Sequence, residues 1–410
     1  MSYDCIIVGG GAAGLAASVF LTRMAPGYRV LVLEKNSRVG KKLLATGNGT
    51  CNLTNRDAAP DRYHGAPALV EAVLGAFSVD RTLDFFTAIG VDCVTRPDGK
   101  VYPCSEQAGA VLDALRLTAE ASGVEIICDK KVDRLQPERQ GWSVYVGGER
   151  FSASRVLVTV GGAAAPALGG SADGYRLLTD LGCVKTPLFP SIVQLRTATD
   201  YVRAVKGIRV DATVGLVLDG KELAAQTGEV LFTDYGLSGP AVMQISRAAA
   251  DWERRKKGAL CARLDLLPQW SAEALTARIK ERRQLPGRTL EELLTGLLHK
   301  RVGQTVLRVA EVLPLTRPAD SLTDEECARV AATIKHWRLP VTGTQGFGGA
   351  QVTAGGIDAA RVDAHTMAIK GLPGLYAAGE VLDVDGDCGG FNLQFAWSSA
   401  YVAARAMIKK

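Results

Sequence analysis

The sequence predicts an α/β protein whose opening domain is split by an insertion. Three observations predict it. The chain begins with a strand, a glycine-rich turn, a helix and a second strand. It ends with a short strand, a glycine-rich turn and a helix. Between them the pattern changes near Pro187–Pro190 and becomes glycine-rich again after Pro340. A chain of 410 residues, 47% hydrophobic and 22% charged, is long enough for two or three domains with real cores, and is not a disordered composition.

The first element is "YDCIIVGGGAAGLAASVFLTRMAPGYRVLVLEK". Asp4–Val8 is a short apolar strand. G-x-G-x-x-G follows at Gly9, Gly11 and Gly14, and the helix behind it carries Ala12, Ala13, Ala16 and Ala17, small enough to lie close on a sheet. Pro26–Gly27 ends the helix, Arg29–Leu33 is the next strand, and Glu34 stands at its tip, twenty residues after Gly14. Gly9 permits the tight turn, Gly11 lets a pyrophosphate reach the backbone, and Gly14 permits close helix–strand packing. The helix start offers free N–H groups and a partial positive charge, and the acid suits a ribose 2′-OH. This is a Rossmann-like dinucleotide site.

Such a start serves NAD or FAD. The next segment, "RVGKKLLATGNGTCNLTN", does not read as a further βαβ unit. A loop rich in glycine and asparagine can run along an extended cofactor, which points to FAD; the alternative is a flexible surface loop. At the other end, Leu375–Ala378 reads as a strand, Gly379–Glu380 follow, and a turn at Gly386, Gly389 and Gly390 opens a helix from about Leu393 to Met407. Reduced flavin is negative near N1 and O2, so a helix start there would stabilise it. Taken alone, this turn and helix equally suit a structural return to the sheet.

The middle of the chain reads in order. Ser105–Gly123 places Ala108, Val111, Leu112, Leu115 and Ala119 on one helical face. Val124–Cys128 is a strand, "WSVYVGGERFSAS" a hairpin, and "RVLVTVGGAAAPALGGSADGYRLLTDLG" a buried strand, a glycine-rich turn and a helix. Asp219–Gly220 marks a second hairpin. From Gln269 to Trp337 nearly everything reads as helix, with capping boxes at Thr289/Glu292 and Thr323/Glu326.

Charge favours no partner: 48 basic residues oppose 43 acidic ones, a net +5. The runs "ERRKK" (Glu253–Lys257) and "KERR" (Lys280–Arg283) read as solvated surface, with an RNA or other anionic contact as the alternative. The partner expected is a small molecule, not a nucleic acid or a membrane. Nine cysteines without C-x-x-C spacing, and no signal-like segment before the first strand, suggest a reduced cytoplasm. The four histidines are scattered, so no metal site is expected.

The ordered set "VGGGAAGLAA", "TGNGTCNLTN", "LFTDYGLSGPAVMQIS" and "AGEVLDVDGDCGGFNLQFAWSSA" resembles the HI0933/YhiN-like family of FAD-binding flavoproteins, whose members include a bile-acid reductase. The resemblance spans nearly the whole chain. It implies FAD, a split Rossmann-like FAD-binding domain (1–190 and 342–410), and an insertion with a β-barrel-like part (191–268) and a helical part (269–341). The cofactor-binding residues expected on the matching segments are Gly9, Gly11, Ala13, Gly14, Glu34, Lys35, Lys42, Thr46, Gly47, Asn48, Gly49, Cys51, Asn52, Val132, Gly161, Gly162, Gly379, Glu380, Gly390, Phe391, Asn392 and Leu393. The chain departs from the family's pattern at Thr50, Asp234 and Phe391, where arginine, histidine and tyrosine are common.

The expected chemistry is FAD-dependent oxidoreduction, with reduction of an activated C=C bond, fed by NADH or NADPH as a transient donor, as the leading reading. Resemblance to the bile-acid reductase makes a steroid-like enone a candidate substrate. An oxidase of small amines and a non-catalytic or RNA-associated flavoprotein are the alternatives. Tyr235 is the candidate proton donor, with Asp234 to tune it and Ser238 beside it. Cys51 has no partner cysteine at short spacing, and a redox pair with Cys388 is a remote alternative to a packed thiol.

Overall fold

The computed structural model describes residues 2–409. The chain divides into two compact units, Met1–Pro190 with Gln351–Lys410, and Ser191–Ala350.

The first unit is built on a seven-stranded sheet. Its centre is β1 (Ser2–Val8), flanked in parallel by β2 (Val30–Leu33) and by the strand Glu149–Val158, with Ile7 opposite Val32 on one side and Leu157 on the other. All four residues of β2 are buried, the continuous apolar run of a strand covered on both faces. Glu125–Ile127 extends the parallel order beyond β2, and Leu375–Ala377 pairs in parallel with Val156–Val158. The hairpin at Gly147–Gly148 makes the other edge antiparallel. Helix α1 (Ala12–Met24) buries nearly its whole length, its alanines letting it lie on the sheet and against the C-terminal helix Phe391–Ile408. An aromatic cluster cements that contact: Phe20 meets Phe77 edge-on at 5.2 Å, and Phe77 stacks on Tyr401 at 4.6 Å.

The second unit is a closed six-stranded barrel with helices. The barrel runs Leu195–Thr197, Gly236–Ser238, Lys221–Phe232, Arg209–Leu218, Leu260–Asp265 and Trp337–Thr344, and the last strand pairs with the first. Asp219 (φ +47) and Gly220 (φ +87) both adopt left-handed backbone, as a two-residue hairpin turn requires. Four longer helices, Pro240–Arg255, Ala272–Arg283, Lys300–Val309 and Asp324–His336, accompany it.

The segment expected to be nearly all helix is helical in pieces. Both capping boxes form, but the one at Thr289 opens only a short 3₁₀ turn, Leu290–Glu292. The N–H groups of Leu290 and Glu291, which no helix start satisfies internally, bond the carbonyls of Arg317 and Leu315. Trp337 begins a barrel strand instead of ending the helix. Trp337, Leu339 and Val341 point inward while Arg338, Pro340 and Thr342 face out, a period of two that the short window hid.

Candidate cofactor site

The first loop is held from beneath by a residue the motif does not contain. The Thr159 hydroxyl donates to the Gly9 carbonyl at 2.8 Å and lies within reach of the Val8 carbonyl at 3.1 Å. Gly9 has φ +110, and a Cβ there would stand 2.5 Å from the Thr159 carbonyl oxygen. A Cβ on Gly14 would stand 2.8 Å from the Thr159 hydroxyl and would press harder still on the Gly9 carbonyl. By contrast, a Cβ on Gly11 would meet nothing within 4 Å. Two glycines therefore serve packing, and the third borders open space at the uncapped start of α1.

Glu34 is 6% exposed. One carboxylate oxygen accepts the Gly10 N–H at 2.8 Å; the other accepts the backbone N–H and side-chain amide of Asn36 at 2.8 and 2.6 Å. It braces the loop, and a carboxylate with about four acceptor positions retains capacity for a hydroxyl. Burial lowers the pKa of its neighbour Lys35. Val132 is buried in the core next to the segment whose Lys130 N–H bonds the Glu34 carbonyl.

The second loop has an unusual backbone. Gly47, Asn48 and Gly49 have φ of +57, +55 and +92; Thr50 returns to −96, and Cys51 is again at +58. Three consecutive left-handed residues coil the loop, and the Thr50 and Cys51 N–H groups turn back onto the Gly47 and Thr46 carbonyls at 3.2 and 2.9 Å. A Cβ on Gly49 would meet nothing within 4 Å. Thr46 donates to the Leu43 carbonyl and Thr50 to the Gly47 carbonyl, both at 2.6 Å. The Cys51 thiol is fully buried, and burial pushes its pKa up to about 12, so it is a neutral packed thiol. Among the described residues, no disulfide joins any of the nine cysteines. Asn52 is buried, and its Oδ1 has no hydrogen-bond partner.

The C-terminal segment closes on both loops. The Gly379 N–H is held by Ser399, and a Cβ there would stand 3.0 Å from that of Ala13. Glu380 ion-pairs with Lys42 at 2.6 Å and accepts the Thr353 N–H at 2.8 Å. A Cβ on Gly162 would come within 2.8 Å of Glu380 Oε1, while Gly161, at φ +71, has nothing near it. The structure thus brings together Gly379 with Ala13, and Lys42 with Glu380 and Gly162. Gly390 (φ +98) caps the C-terminal helix without a side-chain cap, and a Cβ on it would stand 2.5 Å from the Thr54 carbonyl oxygen and 2.9 Å from Asn52 Oδ1.

Other expected residues are engaged locally. Asn392 uses both ends of its amide on Gly386, each bond 2.8 Å, and so fixes the turn. Phe391 is buried edge-on to Tyr63, whose hydroxyl donates to the Phe391 carbonyl at 2.9 Å. Leu393 packs half-buried on the core. A buried hub escaped the sequence reading. Gln394 accepts from Thr54 at 2.5 Å and donates to Thr82 at 2.9 Å and Ser398 at 2.8 Å. Trp397 donates to the Leu53 carbonyl at 2.9 Å. The signal was present: one glutamine inside the apolar run "FNLQFAW".

The candidate catalytic residues share one turn of the second unit. Asp234 ion-pairs with Lys206 at 2.6 Å, and that ammonium holds its carboxyl below the ordinary range. The carboxylate is therefore occupied by a lysine instead of a phenol. Tyr235 is half-buried, its carbonyl accepting the Thr197 N–H, and Ser238 pairs with Leu231 in the barrel.

The model of the HI0933-like protein Rossmann domain matches residues 3–406. The chain belongs to this family. The 3-dehydro-bile acid delta(4,6)-reductase of Clostridium scindens is 36% identical over 406 residues, covering 98% of each chain. The ribosomal RNA dihydrouridine synthase of Haemophilus influenzae is 29% identical over 415 residues, covering 99% of this chain and 98% of that protein. In fold, the chain is similar to a 3-ketosteroid delta1-dehydrogenase from Sterolibacterium denitrificans, with a TM-score of 0.54, 13% identity and 99% coverage of both. FAD fits the residues present. Gly11, Gly49 and Gly161 border open space, and a buried amide oxygen stands without a donor.

Proposed function

We propose that this FAD-dependent oxidoreductase reduces a C=C bond conjugated to a carbonyl in a small molecule, with NADH or NADPH as the electron source. The observation that carries the reading is full-length similarity, at 36% identity, to a protein named for reducing such bonds in a bile acid. When bound, FAD supplies the hydride. The α1 start and Gly11 hold the pyrophosphate, Glu34 takes the ribose hydroxyls, and the second loop with the start of the C-terminal helix holds the flavin end. The Lys42–Glu380 pair fixes the wall between them. Tyr235 gives a proton to the carbon that becomes nucleophilic as the carbonyl takes up charge.

A second reading rests on the 29% and 28% identity to two ribosomal RNA dihydrouridine synthases. Dihydrouridine is uridine with its C5=C6 bond reduced, and that bond too is conjugated to a carbonyl. The basic runs give this reading little support: Arg254 and Arg255 pair with Asp251, and Lys280 and Arg283 with Asp324.

The test is anaerobic. NADH or NADPH should bleach the visible flavin band, and a steroidal enone should restore it. Bleaching reversed by oxygen alone refutes the enone reductase, and no bleaching by either nucleotide refutes the nicotinamide supply. Recovery with uridine-containing RNA but not with an enone selects the second reading.

A further inference from the structure

Asn52 is 9% exposed, and its Oδ1 is sealed from solvent with no donor. Leaving such an oxygen unsatisfied costs about 1–3 kcal/mol. It is aimed at the start of the C-terminal helix, 2.9 Å from where a Gly390 Cβ would stand. That helix runs from Phe391 to Ile408 with no side-chain cap, so the N–H groups of its first turn lack a side-chain acceptor. A buried acceptor beside a row of donors matches a planar group that presents an N–H next to a carbonyl, the edge of a cyclic imide. In oxidised FAD one ring N–H exists, N3, and carbonyls flank it on both sides. Ribityl and ribose hydroxyls rotate freely and do not require this fixed pairing.

We infer that Asn52 Oδ1 accepts the flavin N3–H while the helix start serves the adjoining carbonyl, so that Asn52 selects the ring edge of the cofactor. The inference rests on FAD being the cofactor. It gives the buried amide its missing donor. It also explains why Gly390 has no side chain: a Cβ would stand between the Asn52 oxygen and the Thr54 carbonyl.

The test compares FAD with 3-methyl-FAD, in which the N3–H is replaced by N–CH₃. Each is titrated into the apoprotein and followed by flavin fluorescence and the visible band. Wild type should bind FAD roughly 5- to 100-fold more tightly than 3-methyl-FAD. Asn52→Ala should lose a similar factor for FAD and discriminate little between the two. Asn52→Asp, which keeps an acceptor, should retain the discrimination. Because Oδ1 bonds nothing in the protein, the Ala variant should melt no lower than the wild-type apoprotein. If wild type binds neither flavin, the FAD reading itself falls. If wild type binds both equally, or Asn52→Ala keeps the wild-type ratio, the Asn52 assignment falls and FAD stands.

Discussion

Two neighbouring glycines should fail in opposite ways. Gly14→Ala inserts a methyl group 2.8 Å from the Thr159 hydroxyl and closer still to the Gly9 carbonyl. That is roughly 0.7 Å short of comfortable contact with the hydroxyl alone, and both obstacles are anchored, since Thr159 is bonded to the Gly9 carbonyl. Helix α1 must move off the turn. Overpacking of this kind costs about 1–3 kcal/mol, which lowers the melting temperature of the first unit by roughly 2–6 °C. Gly11→Ala meets no protein atom within 4 Å and keeps an extended φ of −84. The apoprotein should therefore change by less than about 0.5 kcal/mol. Its methyl group, however, enters the space assigned to the pyrophosphate, and FAD affinity should fall at least about tenfold, the effect of roughly 1.4 kcal/mol. The assay is differential scanning calorimetry of the apoproteins together with FAD titration. Wild-type FAD affinity in Gly11→Ala would refute the placement of the phosphates, and an unshifted melt in Gly14→Ala would refute the packing argument.

Gln394→Leu leaves the buried Thr54 hydroxyl without its acceptor, while Thr82 keeps the Ser78 carbonyl and Ser398 the Phe77 carbonyl, and should lower stability by about 1–3 kcal/mol in a chemical melt. Cys51→Ala should leave flavin reduction intact in stopped-flow traces, because the thiol stays protonated. The same thiol predicts a pH effect. Its pKa in the folded protein is about 12, above the ordinary value of 9.0, so its contribution to stability is complete below pH 9.0 and is lost as pH rises toward 12. Cys51→Ala should flatten that alkaline loss, measured as stability against pH. Tyr235→Phe should slow enone reduction by about 10²- to 10⁴-fold while reduction of the flavin by nicotinamide keeps its rate. An equal slowing of both halves would remove Tyr235 as proton donor.

The residues of the first loop were legible because their chemistry is local. Strand, turn, helix and acid lie within one short stretch, and each glycine has its own steric reason. Residues joined across the chain were not. Thr159 braces Gly9 from 150 residues away, and Gln394 meets Thr54 from 340 residues away. No spacing rule links such pairs. The strand Trp337–Thr344 was hidden for the same reason: its alternation means little until Leu195–Thr197 and Leu260–Asp265 flank it. Asn392, a polar residue in a glycine-rich turn that reads as a ligand, has a local use that the sequence did not suggest: its amide closes that turn on itself.

The union of segments on both sides of Ser191–Ala350 in one unit has a consequence for synthesis. A ribosome releases the first loop, β1 and α1 early, yet the Leu53 carbonyl accepts from Trp397 and the Thr54 hydroxyl donates to Gln394, 344 and 340 residues later in the chain. Until then the second loop has no partner helix, and Leu375–Ala377 has not joined the sheet. The nascent chain must carry an unfinished nucleotide fold while Ser191–Ala350 is made, a barrel that can close first. On the proposed placement of FAD, the flavin end is captured only after Phe391–Ile408 has been made. On that placement, a chain cut after Ala350 would keep its fingerprint motif and lose its lasting hold on the cofactor, so the colour of the purified protein would report whether this helix has docked.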